Sequence, residues 1–198
     1  MLLGVLSKML RRILSRDSNF NSNFYKDKLS WTRKFVRNNI KVIEANYSRF
    51  PTKNRWNCNC HVIHDDDRDA FMIDYSFLRE EYTKVCKKFC YENGYELVSL
   101  SDIWYNYYKM GQYQEPHDHL GNVKDGRFNF TAVHYLIFDK NKHSQTKFCD
   151  STIVAPKVKQ GDIIFFPAPW RHYVPENTST SSRLTTAFTF LVKNANTK

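Results

Sequence analysis

A mainly β domain with helices on its N-terminal side is the fold class this sequence predicts, on three observations. From residue 97 onward, β-branched and aromatic residues gather in short runs with no helical segment between them, the pattern of a sandwich or barrel. Ahead of that point, three segments repeat their apolar residues at helical spacing instead. Hydrophobic residues make up 41% and aromatic residues 16% of the 198, which fits a packed core rather than a disordered chain.

Taken in order, residues 1–14 place Leu2, Leu3, Leu6, Met9, Leu10, Ile13 and Leu14 at helical spacing, with Ser7, Lys8, Arg11 and Arg12 on the other side. This amphipathic segment is too short to span a bilayer, and its charges follow its apolar residues, unlike a secretory signal. It fits a helix docked on its own domain or lying on a membrane surface. Residues 15–23 read as a polar linker, and one domain is expected over 24–198. Residues 30–43 carry Trp31, Phe35, Val36 and Ile40 on a helix, with Pro51 closing the segment after it. Residues 74–93 form the clearest helix, with Leu78, Tyr82, Val85, Cys86 and Phe89 on one face, Asp74 or Ser76 to cap it and Gly94 to end it. Strands are expected over 103–109, 130–138, 147–154, 163–167, 171–174 and 184–192, punctuated by Gly121, Gly126 and Gly161.

The chemistry is concentrated in two of these stretches. His117 and His119 are two residues apart, and on an extended strand such residues point to one face. His172 and, eleven residues later, Arg183 follow in the second stretch. Three ligands on one face of an octahedron leave three positions open, the logic of non-haem Fe(II) oxygenase centres. The usual set has two histidines and one carboxylate. Here the middle place falls on His119, while Asp118 points away on a straight strand and turns inward only at a bulge. Each residue also has a plain structural reading: loop histidines beside Pro116, a hydrogen-bonded His172, a solvated Arg183, and core packing for Asn106 and Tyr108.

Together the two stretches resemble the 2-oxoglutarate- and Fe(II)-dependent dioxygenases, whose core is a double-stranded β-helix, or jelly roll. In that superfamily a His-x-Asp or His-x-His pair and a distal histidine hold iron, and an arginine some ten residues further on holds the distal carboxylate of 2-oxoglutarate. The resemblance assigns His117, His119 and His172 to the metal and Arg183 to the cosubstrate, with Thr185 completing an Arg-x-Thr pattern. Asn106 and Tyr108 occupy the Asn-x-Tyr places that contact 2-oxoglutarate in nucleobase demethylases of the superfamily. The 161–167 turn and strand is similar to small phage and bacterial members, and the resemblance covers about residues 103–192. It implies Fe(II) and 2-oxoglutarate as cofactors, with room for ascorbate as a reductant, and hydroxylation with release of succinate and CO2. Three neutral ligands leave the iron more positive than the usual set unless Asp118 or Glu115 helps to neutralise it.

A protein or peptide substrate is favoured slightly, because the chain lacks the demethylases' second arginine and no base-clamping lid can be read. A nucleobase-modifying enzyme, a cupin-like metalloprotein without 2-oxoglutarate and a non-enzymatic basic jelly-roll module are the alternatives. The net charge of +10 admits an acidic partner such as nucleic acid or an anionic membrane, although no basic run exceeds two residues. Five cysteines do not form a secreted disulfide framework and fit a reducing cytoplasm. Cys86 and Cys90 read as small hydrophobes. The spacing of Cys58, Cys60, His61 and His64 suits one face of a strand better than a zinc site. No internal repeat and no phosphate-cradling glycine loop is visible.

Overall fold

The computed structural model describes residues 24–49, 59–65, 75–119, 127–149 and 153–195. The expectations for 1–14 and 15–23, and Cys58 of the cysteine–histidine cluster, lie outside the described residues. Strand β1 (Tyr25–Lys28) is followed by helix α1 (Thr32–Arg49), β2 (His61–His64) and helix α2 (Ser76–Asn93). The remaining strands are β3 (Tyr95–Tyr108), β4 (Gln114–His117), β5 (Arg127–Ile137), β6 (Lys147–Cys149), β7 (Ile153–Val154), β8 (Asp162–Pro167), β9 (His172–Val174) and β10 (Arg183–Asn194). They build a six-stranded sheet in the order β1-β8-β5-β10-β3-β2 and a four-stranded sheet in the order β4-β9-β6-β7. Every pairing is antiparallel. This is the jelly roll the sequence predicts, with its helices packed on one sheet.

Strand alternation divides the interior into two layers. On β10, Leu184, Phe188, Phe190 and Val192 join the core under the helices, whereas Arg183, Thr185 and Ala187 line a cavity between the sheets. On β3, Ile103, Tyr105 and Tyr107 face the helices and Trp104, Asn106 and Tyr108 face the cavity. The register sets Arg183 opposite Tyr108 and Thr185 opposite Asn106. A one-residue slip would send each cavity residue to the helix side, so the apolar pattern that fixes the core also fixes the site.

Several elements differ from expectation. Helix α1 runs on to Arg49, because no breaker precedes Pro51. The cap position of helix α2 falls on Tyr75, which makes no side-chain cap bond, and Ser76 is the first helical residue, while Asp74 lies outside the described residues. Its far end matches: Gly94 takes φ 73° and donates its N–H to the Cys90 carbonyl. The single strand expected over 147–154 is two strands, β6 and β7, paired as a hairpin. Strands β1 and β2 are short and largely polar, and they pair at the two edges of the large sheet. Cys86 and Cys90 are buried in the helix-side core, and burial pushes the Cys90 thiol up to about 11, so both act as packing groups. No described helix is long and apolar enough to cross a membrane.

A polar chain runs through this apolar layer. The Thr32 hydroxyl donates to the Leu29 carbonyl at 2.7 Å, so its oxygen accepts from Nε2–H of His134 at 2.8 Å. Nδ1 of His134 then accepts from the Tyr82 hydroxyl at 2.9 Å, and Tyr82 accepts from Thr186. This order holds His134 neutral, and burial lowers its pKa to about 3. Because the folded value lies below the unfolded one, the stability it confers is complete above about pH 6.5 and is lost as pH falls toward 3. The loss approaches about 1.4 kcal/mol per pH unit. Urea unfolding at pH 7 and pH 5 should show a drop to which His134 contributes about 2 kcal/mol. His134→Gln, neutral at both pH values, should lose that part of the slope; an equal slope in both proteins would contradict it.

Candidate metal centre

Three imidazoles converge at one end of the cavity. Each offers a ring nitrogen, and the ligand atoms of His117, His119 and His172 lie within 4.8 Å of one another. The ring centroids are 5.1 Å apart for His117–His119, 4.4 Å for His117–His172 and 5.1 Å for His119–His172. The convergence follows from the small sheet, where β4 pairs with β9 and sets His117 opposite His172. His119 lies two residues beyond β4 and is tied down by its backbone N–H, which donates to the Ala168 carbonyl at 3.0 Å.

The hydrogen bonds fix which nitrogen faces the centre. Nδ1 of His117 lies 2.7 Å from the Glu115 carbonyl and Nδ1 of His172 lies 2.8 Å from the Trp170 carbonyl. A carbonyl only accepts, so both Nδ1 atoms carry hydrogen and each neutral ring keeps its lone pair on Nε2. A backbone partner of this kind orients metal-bound histidines. Burial lowers all three pKa values, that of His119 to about 3 with a further push from His117 and His64. The cluster is therefore uncharged near neutral pH and presents electron pairs rather than protons.

Asp118 does not join this group. Among the described residues the cluster consists of the three histidines alone. The register shift in β4 falls between Gln114 and His117, ahead of the histidines, so it does not turn Asp118 onto their face. The charge of Asp118 favours the protonated form of His117.

The same cavity is lined by Arg183, 1% exposed. Its Nη2 donates to Thr146 Oγ1 at 3.3 Å, and its guanidinium carbon lies 4.6 Å from the Tyr108 ring centroid and 5.6 Å from that of Tyr135. Nε and Nη1 are buried without a hydrogen-bond partner among the described residues. Among the described residues no carboxylate lines the cavity. A buried charge in this state costs several kcal/mol unless an anion meets it. The guanidinium therefore fits a carboxylate that enters the cavity.

The other expected residues lie around this arginine. Asn106, Tyr108 and Thr185 all line the cavity, and Asn106 Oδ1 is buried without a partner among the described residues. The Tyr108 hydroxyl donates to Gln114 Oε1 at 2.9 Å, which fixes the ring beneath Arg183. Sequence reasoning missed Thr146, Trp104 and Gln114. Trp104 shares the β3 face of Asn106 and Tyr108 and could have been found by stepping back two residues. Gln114 sits on the strand that leads to His117. Thr146 belongs to a stretch without periodicity and carries no signal. Cys60 and His61 are buried on the approach to β2 and along it, and with His64 they form no further ligand cluster among the described residues.

The residues fit a divalent metal with a dicarboxylate beside it, and known proteins point the same way. A family model described as "Putative 2OG-Fe(II) oxygenase" matches residues 102–189, a span that holds every site residue named above. No curated protein sequence matches the chain. A prolyl-4-hydroxylase from Pseudomonas putida superposes with a TM-score of 0.57 at 13% identity, covering 86% of this chain and 92% of that one. The viral collagen prolyl hydroxylase of Paramecium Bursaria Chlorella virus-1, in a 2-oxoglutarate complex, superposes with a TM-score of 0.57 at 16% identity, covering 86% and 96%. A prolyl hydroxylase from Trichoplax adhaerens, bound to a hypoxia inducible factor peptide fragment, gives 0.56 at 15% identity, covering 93% and 91%. At such identities these likenesses show the fold. The match over 102–189 carries the resemblance to the 2-oxoglutarate- and Fe(II)-dependent oxygenases, a family whose cofactors are Fe(II) and 2-oxoglutarate.

Proposed function

We propose that this protein is a 2-oxoglutarate- and Fe(II)-dependent oxygenase that hydroxylates a protein or peptide. The observation that carries the reading is the shared cavity, lined both by three neutral imidazoles and by a buried guanidinium without an ion-pair partner among the described residues. His117, His119 and His172 would hold the iron, and Arg183 with Thr185 would bind the distal carboxylate of 2-oxoglutarate. When bound, the iron supplies the redox chemistry that couples dioxygen and 2-oxoglutarate to substrate oxidation, with succinate and CO2 released.

The chain's own residues bind, orient and exclude. The Glu115 and Trp170 carbonyls hold two imidazoles in the tautomer that ligates. Thr146 and the Tyr108 ring fix the guanidinium before any ligand arrives, so little ordering remains to be done on binding. Asn106 offers an unpaired amide oxygen to the same space, and Val133, Val174 and Ala187 line it with apolar groups that keep water out. Three neutral histidines add no negative charge, and with one carboxylate of the cosubstrate met by Arg183, the other would offset about half of the ion's charge of two.

The peptide part of the reading is supported by the prolyl hydroxylase relatives in fold, one of them bound to a peptide. A reducing compartment is compatible with the free thiols of Cys60, Cys86, Cys90 and Cys149. The test is to supply iron-loaded protein with 2-oxoglutarate, dioxygen and a library of proline- and lysine-containing peptides. Succinate should form together with a peptide that gains the mass of one oxygen atom. Succinate production accelerated by another class of molecule, with no peptide altered, would overturn the peptide assignment; no succinate under any condition would overturn the oxygenase.

A further inference from the structure

On a different part of the molecule, Lys26, Lys28, Lys140, Lys157 and Lys159 line one cleft of about 690 Å³, which shares no residue with the metal and arginine cavity. It lies between β1, the end of β5 and the turn into β8, with Phe138, Gln145 and Val158 as its floor. Two carboxylates border it, and both are already engaged. Asp27 pairs with Lys88 at 2.7 Å and accepts from the Lys28 backbone N–H at 2.7 Å. Asp162 pairs with Lys26 at 3.7 Å and accepts from the Lys159 backbone N–H at 2.9 Å. Lys28, Lys140, Lys157 and Lys159 are exposed, and none has an ion-pair partner among the described residues.

We infer that this lysine cleft is a docking surface for an acidic stretch of polypeptide, which delivers a protein substrate to the oxygenase site. Four unpaired ammonium groups around one concavity raise the local potential and concentrate anions there. The occupant has to be narrow. A cleft of this volume admits an extended chain and its side chains but not a duplex. Single-stranded nucleic acid is disfavoured on another ground. Its binders combine positive charge with aromatic platforms, and Phe138, the one ring in this cleft among the described residues, is buried. Lysine rather than arginine lines it throughout, which gives point charges suited to carboxylates that approach from many directions instead of the planar fork that selects phosphate. The inference rests on the peptide reading of the catalytic site and adds a chemical class for the substrate: a segment rich in aspartate and glutamate flanking the oxidised residue.

The test uses the full chain, a fluorescent eight-residue glutamate peptide and a single-stranded oligothymidylate of equal charge. The peptide should bind, and its affinity should fall steeply as salt is raised, as expected for attraction between solvent-exposed charges. The quadruple variant Lys28→Glu, Lys140→Glu, Lys157→Glu, Lys159→Glu should bind at least tenfold more weakly while taking up Fe(II) and 2-oxoglutarate as before. All four side chains point to solvent, so the fold should tolerate the change; equal unfolding midpoints would verify that, and single Lys→Gln variants serve if they differ. Equal peptide affinity in both proteins would overturn the surface. Tighter binding of the oligonucleotide than of the peptide would overturn the partner. Because peptide binding is read without turnover, an inactive iron centre would leave this result standing and refute only the catalytic reading.

Discussion

Arg183→Met is expected to weaken 2-oxoglutarate binding by at least about thirtyfold and to leave the ligand-free fold intact. A desolvated charge pair that loses one member loses about 2–5 kcal/mol, and each 1.4 kcal/mol is a factor of ten. The second half of the expectation is less usual. Removing a buried arginine normally strands its carboxylate, but here no carboxylate among the described residues lines the cavity. Methionine replaces an unpaired guanidinium with an apolar chain of similar length, a change that often costs nothing or stabilises. In thermal unfolding, wild-type protein at a hundredfold excess of 2-oxoglutarate over its Kd should gain about 2.7 kcal/mol. For a domain of this size that is a rise of roughly 5–10 °C. Arg183→Met should show no rise and an unchanged or higher starting Tm. A variant that still responds to 2-oxoglutarate would remove Arg183 from the site.

His172→Ala is expected to abolish tight Fe(II) binding. His172 is 3% exposed, sits in contact with Phe148 and Phe166, and is the member of the cluster that the distal strand provides. Loss of a group that merely orients a ligand costs some 10–100-fold in affinity, so loss of a ligand should cost more than about 100-fold. The same titration settles the neighbouring position. His119→Ala should match His172→Ala, whereas Asp118→Ala should change metal affinity only a few-fold, through its charge on His117. The reverse order would make Asp118 the ligand and His119 a wall residue. Metal content by elemental analysis reads all three variants.

Much of this site could be read from the sequence because its chemistry rides on strand periodicity. Asn106, Tyr108, Arg183 and Thr185 are paired neighbours on β3 and β10, and a period of two puts each of them on the cavity face. The helices were legible for the same reason: Leu78, Tyr82, Val85, Cys86 and Phe89 trace one face of α2. What escaped depends on contacts without local periodicity. Nothing in Tyr25–Lys28 marks it as a strand, since two of its four residues are lysines; its place comes from pairing with Ile163 to Phe165 of β8. Thr146 matters only because the turn into β6 brings it to Arg183. The cap of α2 failed as an expectation because a capping residue is chosen by the path of the chain as well as by its hydroxyl or carboxylate. Asp118 could not be placed by rule either, since the register shift that decides its direction lies ahead of His117 and leaves no trace in the sequence.

The central claim is that the imidazole cluster and Arg183 together hold iron and 2-oxoglutarate. Anaerobic titration of the Fe(II)-loaded protein with 2-oxoglutarate, followed in the visible spectrum, tests it most directly. A metal-to-ligand charge-transfer band arises only when the keto acid chelates the iron. The account predicts a band that grows to saturation with wild-type protein and requires far more 2-oxoglutarate with Arg183→Met. Iron bound with no band at any concentration of 2-oxoglutarate would contradict it.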